Sequence, residues 1–499
     1  VIQFVPIFIF YIEFSFIYVT IKSTIKILEE VSMSEAIVRI SEIQLTDLKN
    51  TRYGKIEMPA YAEKNYFSDK ADLLGIYGQN GSGKTAVIEA MDLIQMLIAG
   101  KSLPEDTVHY ISEGSGSCSI TVKFLIRFSD KSILAEYTAE FIRGNSFPME
   151  IAGETLSTAV WNGTRFENKK TLIDYSSSSD GPVFTPKYRY EALAKSGEEI
   201  RINLSVAKKL AQKNTSSFLF SQESRSIFQS APEDITQEYM PVIEALYQYA
   251  SFNLFVISSA HSGFITTSSR LPFAFRLNLG NRIAKGDLTI RLDDPSVISK
   301  DQFQLVTQII EEMNSVLTSL IPGLTIGIHN FGEQLRENGT PGYRIQLISK
   351  RGDVVIPLKY ESEGIIKIIS VLNVLMCVYN HPSMCLIIDE LDAGIYEYLL
   401  GEILSVFEKG AKGQLIFTSH NLRPLEMIHK RSILFSTANP SNRYIRLQNV
   451  KSNNNLRDMY LRSITLGGQS EEIYEETDSV EIGRAFRRAG KAVSYDKQY

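Results

Sequence analysis

Residues Leu73-Leu-Gly-Ile-Tyr-Gly-Gln-Asn-Gly-Ser-Gly-Lys-Thr-Ala-Val-Ile-Glu-Ala-Met91 decide how the rest of the chain is read. An apolar run of strand length gives way to Gly78-Gln79-Asn80-Gly81-Ser82-Gly83-Lys84-Thr85, and an apolar segment of helical period follows. The spacing is that of a P-loop, G-x-x-x-x-G-K-[ST], in its strand, loop and helix setting. Glycines are needed because successive backbone N–H groups must curl round phosphate oxygens, in a nest that side chains would obstruct. The positive end of the next helix faces the same anion. Lys84 is then expected to reach the outer phosphates, and the Thr85 hydroxyl to ligate Mg2+.

A second apolar strand, Met384-Cys-Leu-Ile-Ile-Asp-Glu390, ends in two acids, where α/β sheets place ligands. Asp389 is expected to hold Mg2+ as a Walker B aspartate does, and Glu390 to be the base that orients an attacking water. A third, Leu415-Ile-Phe-Thr-Ser-His420, delivers His420 at a strand end, within reach of a γ-phosphate or the water. Upstream, Tyr360-Glu-Ser-Glu-Gly-Ile-Ile-Lys367 opens a helix over Ile365–Val378. Ser362 and Gly364 at its N-terminus can donate to phosphate, although an ordinary capping sequence has the same residues.

The remaining composition bounds the chain. Its 499 residues allow two or three domains, or one large domain with insertions. A hydrophobic content of 44% with 22% charged residues is that of an ordinary soluble globular protein. Fifty-two basic against 57 acidic residues leave a net charge of −5, so no overall basic field announces nucleic acid and only a local patch would bind it. Cys118, Cys377 and Cys385 form no C-x-x-C pair, and reduced buried thiols rather than a zinc site are expected.

Along the chain, alternation predicts strands in the stretches Ile37-Val-Arg-Ile-Ser-Glu-Ile-Gln-Leu45 and Tyr53-Gly-Lys-Ile-Glu-Met58, and residues 62–72 connect them to the P-loop strand. Ala86–Ile98 reads as a helix. Cys118–Arg127 and Ile133–Ile142 read as paired strands, extended by Met149–Thr155 and Thr171–Tyr175. Residues 205–250 are helical in composition with a break at Pro232, and Phe252–Ser258 reads as a strand. Gln302–Leu320 is an amphipathic helix ended by Pro322-Gly323, followed by strands at Leu324–His329 and Tyr343–Ser349 and a hairpin turn at Arg351-Gly-Asp.

The order of strand, P-loop, long insert, Ser-x-Gly helix, Asp-Glu strand, Asp392 and strand-final His resembles the ABC-class ATPase heads, in their RecF, SMC and OLD branches. The opening Ile40-Ser-Glu-Ile-Gln-Leu-Thr-Asp-Leu-Lys-Asn50 resembles the RecF/SMC start, as does Glu89-Ala90 after the P-loop. The closing Leu415-Ile-Phe-Thr-Ser-His-Asn-Leu-Arg-Pro-Leu-Glu-Met-Ile428 is similar to AAA-type ATP-binding proteins of abortive infection. The resemblance covers residues 33–100 and 300–450 well and the middle loosely. It implies an α/β P-loop NTPase of ABC-head type, with a β-rich N-terminal lobe and a large α+β insertion between Walker A and the signature helix.

The resemblance also implies ATP and Mg2+ as cofactors and two heads sandwiching two ATPs. Gly78–Thr85 of one copy would face Ser362 and Gly364 of the other, with Asp392 at the shared interface. Departures from the pattern are Glu363 where Gly is usual and Tyr396 where many relatives have His; Gln222 is the candidate for the glutamine of the Q-loop. With no coiled-coil arm, no zinc hook and little chain after His420 for a TOPRIM nuclease, the implied role is a cytoplasmic ATP-hydrolysing switch in phage defence. Its partners would be a second copy and a separately encoded effector, with DNA a further candidate and no stable membrane partner. RecF-like DNA repair or chromosome maintenance is the alternative, and the ATPase subunit of a transporter a third. The expected organisation is an ATPase lobe at 33–100, the insertion at 101–300, the rest of the ATPase at 301–450, and a tail at 451–499. That tail ends in a basic helix with Arg484, Arg487, Arg488 and Lys491.

Residues 1–28 look like a membrane segment, since a spanning helix needs about 20 apolar residues and Val1 to Ile21 is almost wholly apolar, broken by Glu13 and Pro6. Yet residues 1–32 hold no Ala, Gly or Arg, whereas spanning helices favour Leu, Ala and Gly. A stretch of Phe, Ile, Tyr and Lys is what AT-rich DNA gives when translated, and Glu29-Glu30-Val31 before Met33 is encodable by a purine-rich ribosome-binding sequence. Translation is therefore expected to start at Met33, with a membrane anchor as the alternative. The intact mass of natively expressed protein checks this: a species beginning at Met33 is expected, and one carrying residues 1–32 would refute it.

Overall fold

The computed structural model describes residues 25–28, 36–144, 149–178, 181–259, 263, 265, 269–279, 282–336, 339–448 and 455–495. At its centre lies the P-loop strand, Asp72–Tyr77, buried along its whole length. It belongs to a six-stranded sheet whose order is Leu254–Ile257, Cys385–Ile388, Gln414–Thr418, Asp72–Tyr77, Ile433–Ser436 and Tyr444–Ile445. The first five strands are parallel and the last antiparallel. Parallel strands covered on both faces read as continuous apolar runs, which is why Cys385-Leu-Ile-Ile388 shows no alternation. Successive side chains still part to opposite faces. Leu74 and Ile76 join the core beneath the P-loop helix Lys84–Ile98, while Leu73 and Tyr77 join that of helices Glu363–Asn380 and Glu397–Gly410.

Against the P-loop helix packs a seven-stranded antiparallel sheet, ordered Thr51–Glu57, Ile37–Leu48, Ser117–Arg127, Ser132–Arg143, Met149–Val160, Lys170–Ser176 and Phe184–Thr185. Both early strands and all four strands expected beyond the P-loop helix are present and paired as the alternation implied. Helices between Lys187 and Gln248 cover the far end of this sheet, with Pro232 at the break between Gln222–Ser230 and Glu233–Thr236. The chain then re-enters the six-stranded sheet. Leu254–Ile257, inside the stretch 101–300 expected to be an insertion, pairs in parallel with Cys385–Ile388.

The sheets are joined by buried polar groups rather than by apolar contact alone. The Gln414 amide, fully buried, accepts from the Ile40 N–H (2.7 Å) and donates to Ile40 O (2.8 Å) and Asp72 Oδ2 (3.2 Å). Arg39 donates to the carbonyls of Lys412 (2.7 Å) and Lys70 (3.0 Å). Each such bond is worth about 1 kcal/mol net, but orphaning a buried partner costs about 1–3 kcal/mol, so the joint is specific.

A third core forms around helix Lys300–Leu320, whose Ser299 and Gln302 make a reciprocal capping box. It carries a sheet of Ser296–Ser299, Pro341–Arg351, Leu324–Leu335 and Val354–Pro357, and the hairpin Arg270–Leu279 with Arg282–Arg291. Residues 1–32 lie outside the described residues except Ile25–Leu28, a strand that pairs with Arg282–Arg291. Among the described residues, only helix Glu363–Asn380 is long and apolar enough to cross a membrane, and 67% of that window is buried in the protein.

On the P-loop helix, burial raises the Asp92 carboxyl to about 6; Lys101 opposes the rise, and Glu89 and Asp287 add to it. A folded-state value above the unfolded one contributes stability that is full below the unfolded value and is lost as pH rises through about 6. Asp92→Asn, uncharged at every pH, is therefore expected to raise the thermal midpoint at pH 8 by about 2–4 °C, with the gain shrinking as pH falls to about 5. A destabilised variant at pH 8, or a gain independent of pH, would count against this.

Candidate functional site

The parallel strands Asp72–Tyr77, Cys385–Ile388 and Gln414–Thr418 end side by side, and a cleft of about 850 Å³ opens there. Asn80, Gly81, Gly83, Lys84, Thr85, Asp389, Glu390 and His420 all line it. Three segments of sequence far apart in the chain thus converge on one place because neighbouring strands share a C-terminal edge.

The P-loop has the backbone that its glycines predict. Gly81 and Gly83 hold φ of 80° and 89°, in the left-handed region where a side chain would be strained, and Gly83 is the N-cap of helix Lys84–Ile98. Ser82 turns inward, its hydroxyl donating to Gln79 O (2.7 Å) and lying 2.5 Å from Ser436 Oγ. Gln79 Oε1 accepts from the Glu475 N–H (3.0 Å), which ties the C-terminal tail to the loop. Lys84 folds over the loop and donates to Gly78 O (2.8 Å) and Gln79 O (2.9 Å). Burial lowers the pKa of its ammonium, against the pull of Asp389, Glu390 and Asp392.

The Thr85 hydroxyl donates to Asp389 Oδ2 at 3.1 Å, so the two expected Mg2+ ligands stand together. A hydroxyl beside a carboxylate, both oxygen donors, suits a hard cation that keeps several waters and completes its shell from phosphates. Among the described residues there is no cluster of three His, Cys, Asp or Glu able to hold a metal.

Thr418, one residue past Phe417 in register with Ile388, fixes both acids. Its hydroxyl donates to Asp389 Oδ1 (2.5 Å) and accepts from the Glu390 N–H (2.7 Å). Glu390 itself has φ of 49°, a left-handed conformation that costs a non-glycine residue about 1–3 kcal/mol and clusters at functional sites. Its carbonyl accepts a hydrogen bond from the buried Lys367 ammonium.

The other expected site residues divide. His420 is exposed on the cleft rim, and its N–H and that of Asn421 both donate to Asp392 Oδ2 (3.0 Å each). Asp392 thus braces the loop that carries His420. Ser362 caps helix Glu363–Asn380, accepting from the Ile365 N–H (3.4 Å). Gly364 meets the backbone of Gly394 so closely that a Cβ would overlap the Gly394 carbonyl oxygen. Neither Ser362 nor Gly364 lines the cleft. Gln222 is exposed in the first turn of helix Gln222–Ser230 and does not line it either.

Several residues at the cleft have no counterpart in the sequence expectations. The turn after Ile37–Leu48 brings Lys49, paired with Glu89 (2.6 Å), and Asn50, whose amide donates to Gly81 O. Arg443 donates to Asn50 O and to Thr437 O (2.6 Å), and the Tyr444 hydroxyl to Gly83 O (2.7 Å). Together they clamp the P-loop from outside. His109, Ser112, Glu113 and Arg143 also line the cleft. Only Lys49-Asn50 carried a signal, as the end of the RecF/SMC-like opening.

Residues 73–426 match the model of a family described as "AAA domain, putative AbiEii toxin, Type IV TA system". Among solved structures, the SMC head domain from Thermotoga maritima aligns at 13% identity over 82% of this chain and 99% of that one, with a TM-score of 0.35. The Smc head with an extended coiled coil from Pyrococcus furiosus, bound to the C-terminal domain of ScpA, aligns at 12% identity over 82% and 96%, TM-score 0.35. RecF with ATP aligns at 13% identity over 77% and 94%, TM-score 0.31. No curated protein matches the chain.

Thr418→Val would orphan Asp389 Oδ1 and the Glu390 N–H, at about 1–3 kcal/mol each. It is expected to lower the thermal midpoint by about 2–6 °C, with Thr418→Ser much closer to wild type. Indistinguishable melting of the two variants would refute the role of the hydroxyl.

Proposed function

Because the chain belongs to the AAA-domain family whose model spans residues 73–426, with the α/β P-loop NTPase fold of an ABC-type head, we propose that it binds and hydrolyses ATP as a nucleotide-driven dimer switch. The observation that carries this is the placing of Thr85, Asp389, Glu390 and Lys84 around one cleft, with Glu390 in a strained backbone conformation beside the metal pair.

In this proposal the N–H groups of Gly78–Thr85 cradle the phosphates. Lys84 leaves its carbonyl partners for the outer phosphates, a move its buried and weakly solvated ammonium favours. Thr85 and Asp389 hold Mg2+, whose charge offsets that building on the phosphate oxygens. Glu390 takes the proton of the attacking water, and His420, on the exposed rim, contacts the γ-phosphate or that water. Ser362 and Gly364 point their helix N-terminus at the nucleotide of a second copy, which accounts for their absence from the cleft of their own. The ATP is then shared, and its hydrolysis parts the copies.

The biological setting we infer is cytoplasmic phage defence with a separately encoded effector, supported by the toxin–antitoxin wording of the family description. A RecF-like role on DNA is the second reading, favoured by the exposed Arg484, Arg487 and Arg488 of helix Ser479–Tyr495. Salt-sensitive DNA binding that depends on ATP would favour it.

Glu390→Gln is expected to bind ATP, to lose turnover by at least about a hundredfold, and to accumulate as an ATP-bound dimer on a sizing column. A variant that stays monomeric with ATP, under conditions where its nucleotide binding is measured, would rule out the shared-nucleotide mechanism.

A further inference from the structure

Helix Glu363–Asn380 begins with the residues proposed to meet a second copy's nucleotide, and its second turn carries a buried cation. Lys367 is 4% exposed, although lysine is almost never buried unless paired. Its ammonium donates to the carbonyl oxygen of Glu390, and the carboxylates of Asp389, Glu390 and Asp392 all act on its charge. Burial lowers its pKa and these three acids oppose the fall.

Glu390 is therefore held at both ends of its own residue, by Thr418 at the N–H and by Lys367 at the carbonyl. Two pins of this kind specify the left-handed conformation that neither the strand before it nor a free loop would adopt. The pins come from different bodies. Thr418 belongs to the sheet, whereas Lys367 belongs to the helix whose N-terminus faces outward. A second contact, Gly364 against Gly394, seats the same helix on the loop that follows Glu390. Any shift of the helix start is thus delivered to the backbone of Glu390 and, through Asp392, to the amides of His420 and Asn421.

We propose that Lys367 is a positioning residue for hydrolysis: it transmits the seating of the helix on a second copy's nucleotide to Glu390 of its own cleft, so that each site turns over only when the other is engaged. The proposal rests on the hydrolytic dimer reading above. Because Lys367 does not line the cleft, its loss leaves ATP binding in place and acts on turnover.

The test compares steady-state ATP hydrolysis by the full chain in wild type, Glu390→Gln, Lys367→Met and Lys367→Arg, with melting curves alongside. Lys367→Met is expected to lower kcat at least about thirtyfold with KM for ATP within about threefold, and Lys367→Arg to recover most of that loss. If Lys367→Met does not fold, Lys367→Gln replaces it, with an expected fall of at least about tenfold against less than about fivefold for Lys367→Arg. A kcat near wild type in the uncharged variant, a change confined to KM, or equal losses in the charged and uncharged variants would overturn the proposal. A wild type that does not hydrolyse ATP overturns the reading beneath it instead.

Discussion

One hydroxyl sets the geometry on which this molecule's chemistry depends. Thr418 Oγ1 lies between Asp389 and the backbone of Glu390, donating to the first and accepting from the second. It can do so because two parallel strands run in register, Ile388 beside Phe417, and both end at the same level. A slip of one residue would turn Thr418 to the opposite face and leave a buried carboxylate oxygen and a buried amide without partners. Sheet register and the geometry of Asp389 and Glu390 are in this sense the same constraint. The helix Glu363–Asn380 and the loop from Asp389 to Gly394 are then built onto it, through Lys367 on one side and Gly364 on the other.

The outer lobe answers to the same sheet. Its first strand is tied down by the Gln414 amide and by Arg39, whose guanidinium spans the carbonyls of Lys70 and Lys412. Burial lowers the pKa of Arg39 and raises that of Asp72, and the attraction between them offsets part of each shift. A polar joint of this kind tolerates little sliding, because each displaced group loses a partner with no water to replace it. The turn Lys49-Asn50 is thereby held over the P-loop, and Arg443 and Tyr444 close the loop from the far side.

What could be read from residues alone follows the range of the interactions. The P-loop, the Walker B strand and the strand before His420 are local patterns, each with its own apolar period and terminal polar residues, and each lies where expected. The strands from Ile37 to Ser176 alternate cleanly because one face is buried, so they too were legible. Thr418 was quoted within its strand yet carries no sign of its role, since that role exists only beside Asp389. Arg443 and Tyr444 are likewise ordinary until the sheet brings them to Asn50 and Gly83. The hairpin Arg270–Leu279 does alternate, through Leu271, Phe273, Phe275 and Leu277, but its partners are a helix and a sheet far along the chain. Gln222 shows the converse, a residue type without a place: it is exposed and away from the cleft.

The order of strands in the nucleotide sheet also bears on how the chain comes to exist. Asp72–Tyr77 has Gln414–Thr418 on one side and Ile433–Ser436 on the other, and Asp72 meets Gln414 across 342 positions of sequence. During synthesis at about 5–20 residues per second, the central strand therefore waits roughly 20–70 s for its first neighbour. The seven-stranded lobe, made almost wholly of sequential hairpins, can assemble in that interval and cover one side of the P-loop helix. The six-stranded sheet is consequently among the last parts of the molecule to close. A ribosome stalled before Gln414 would present an apolar strand with both edges open, the form of nascent chain that most needs a chaperone.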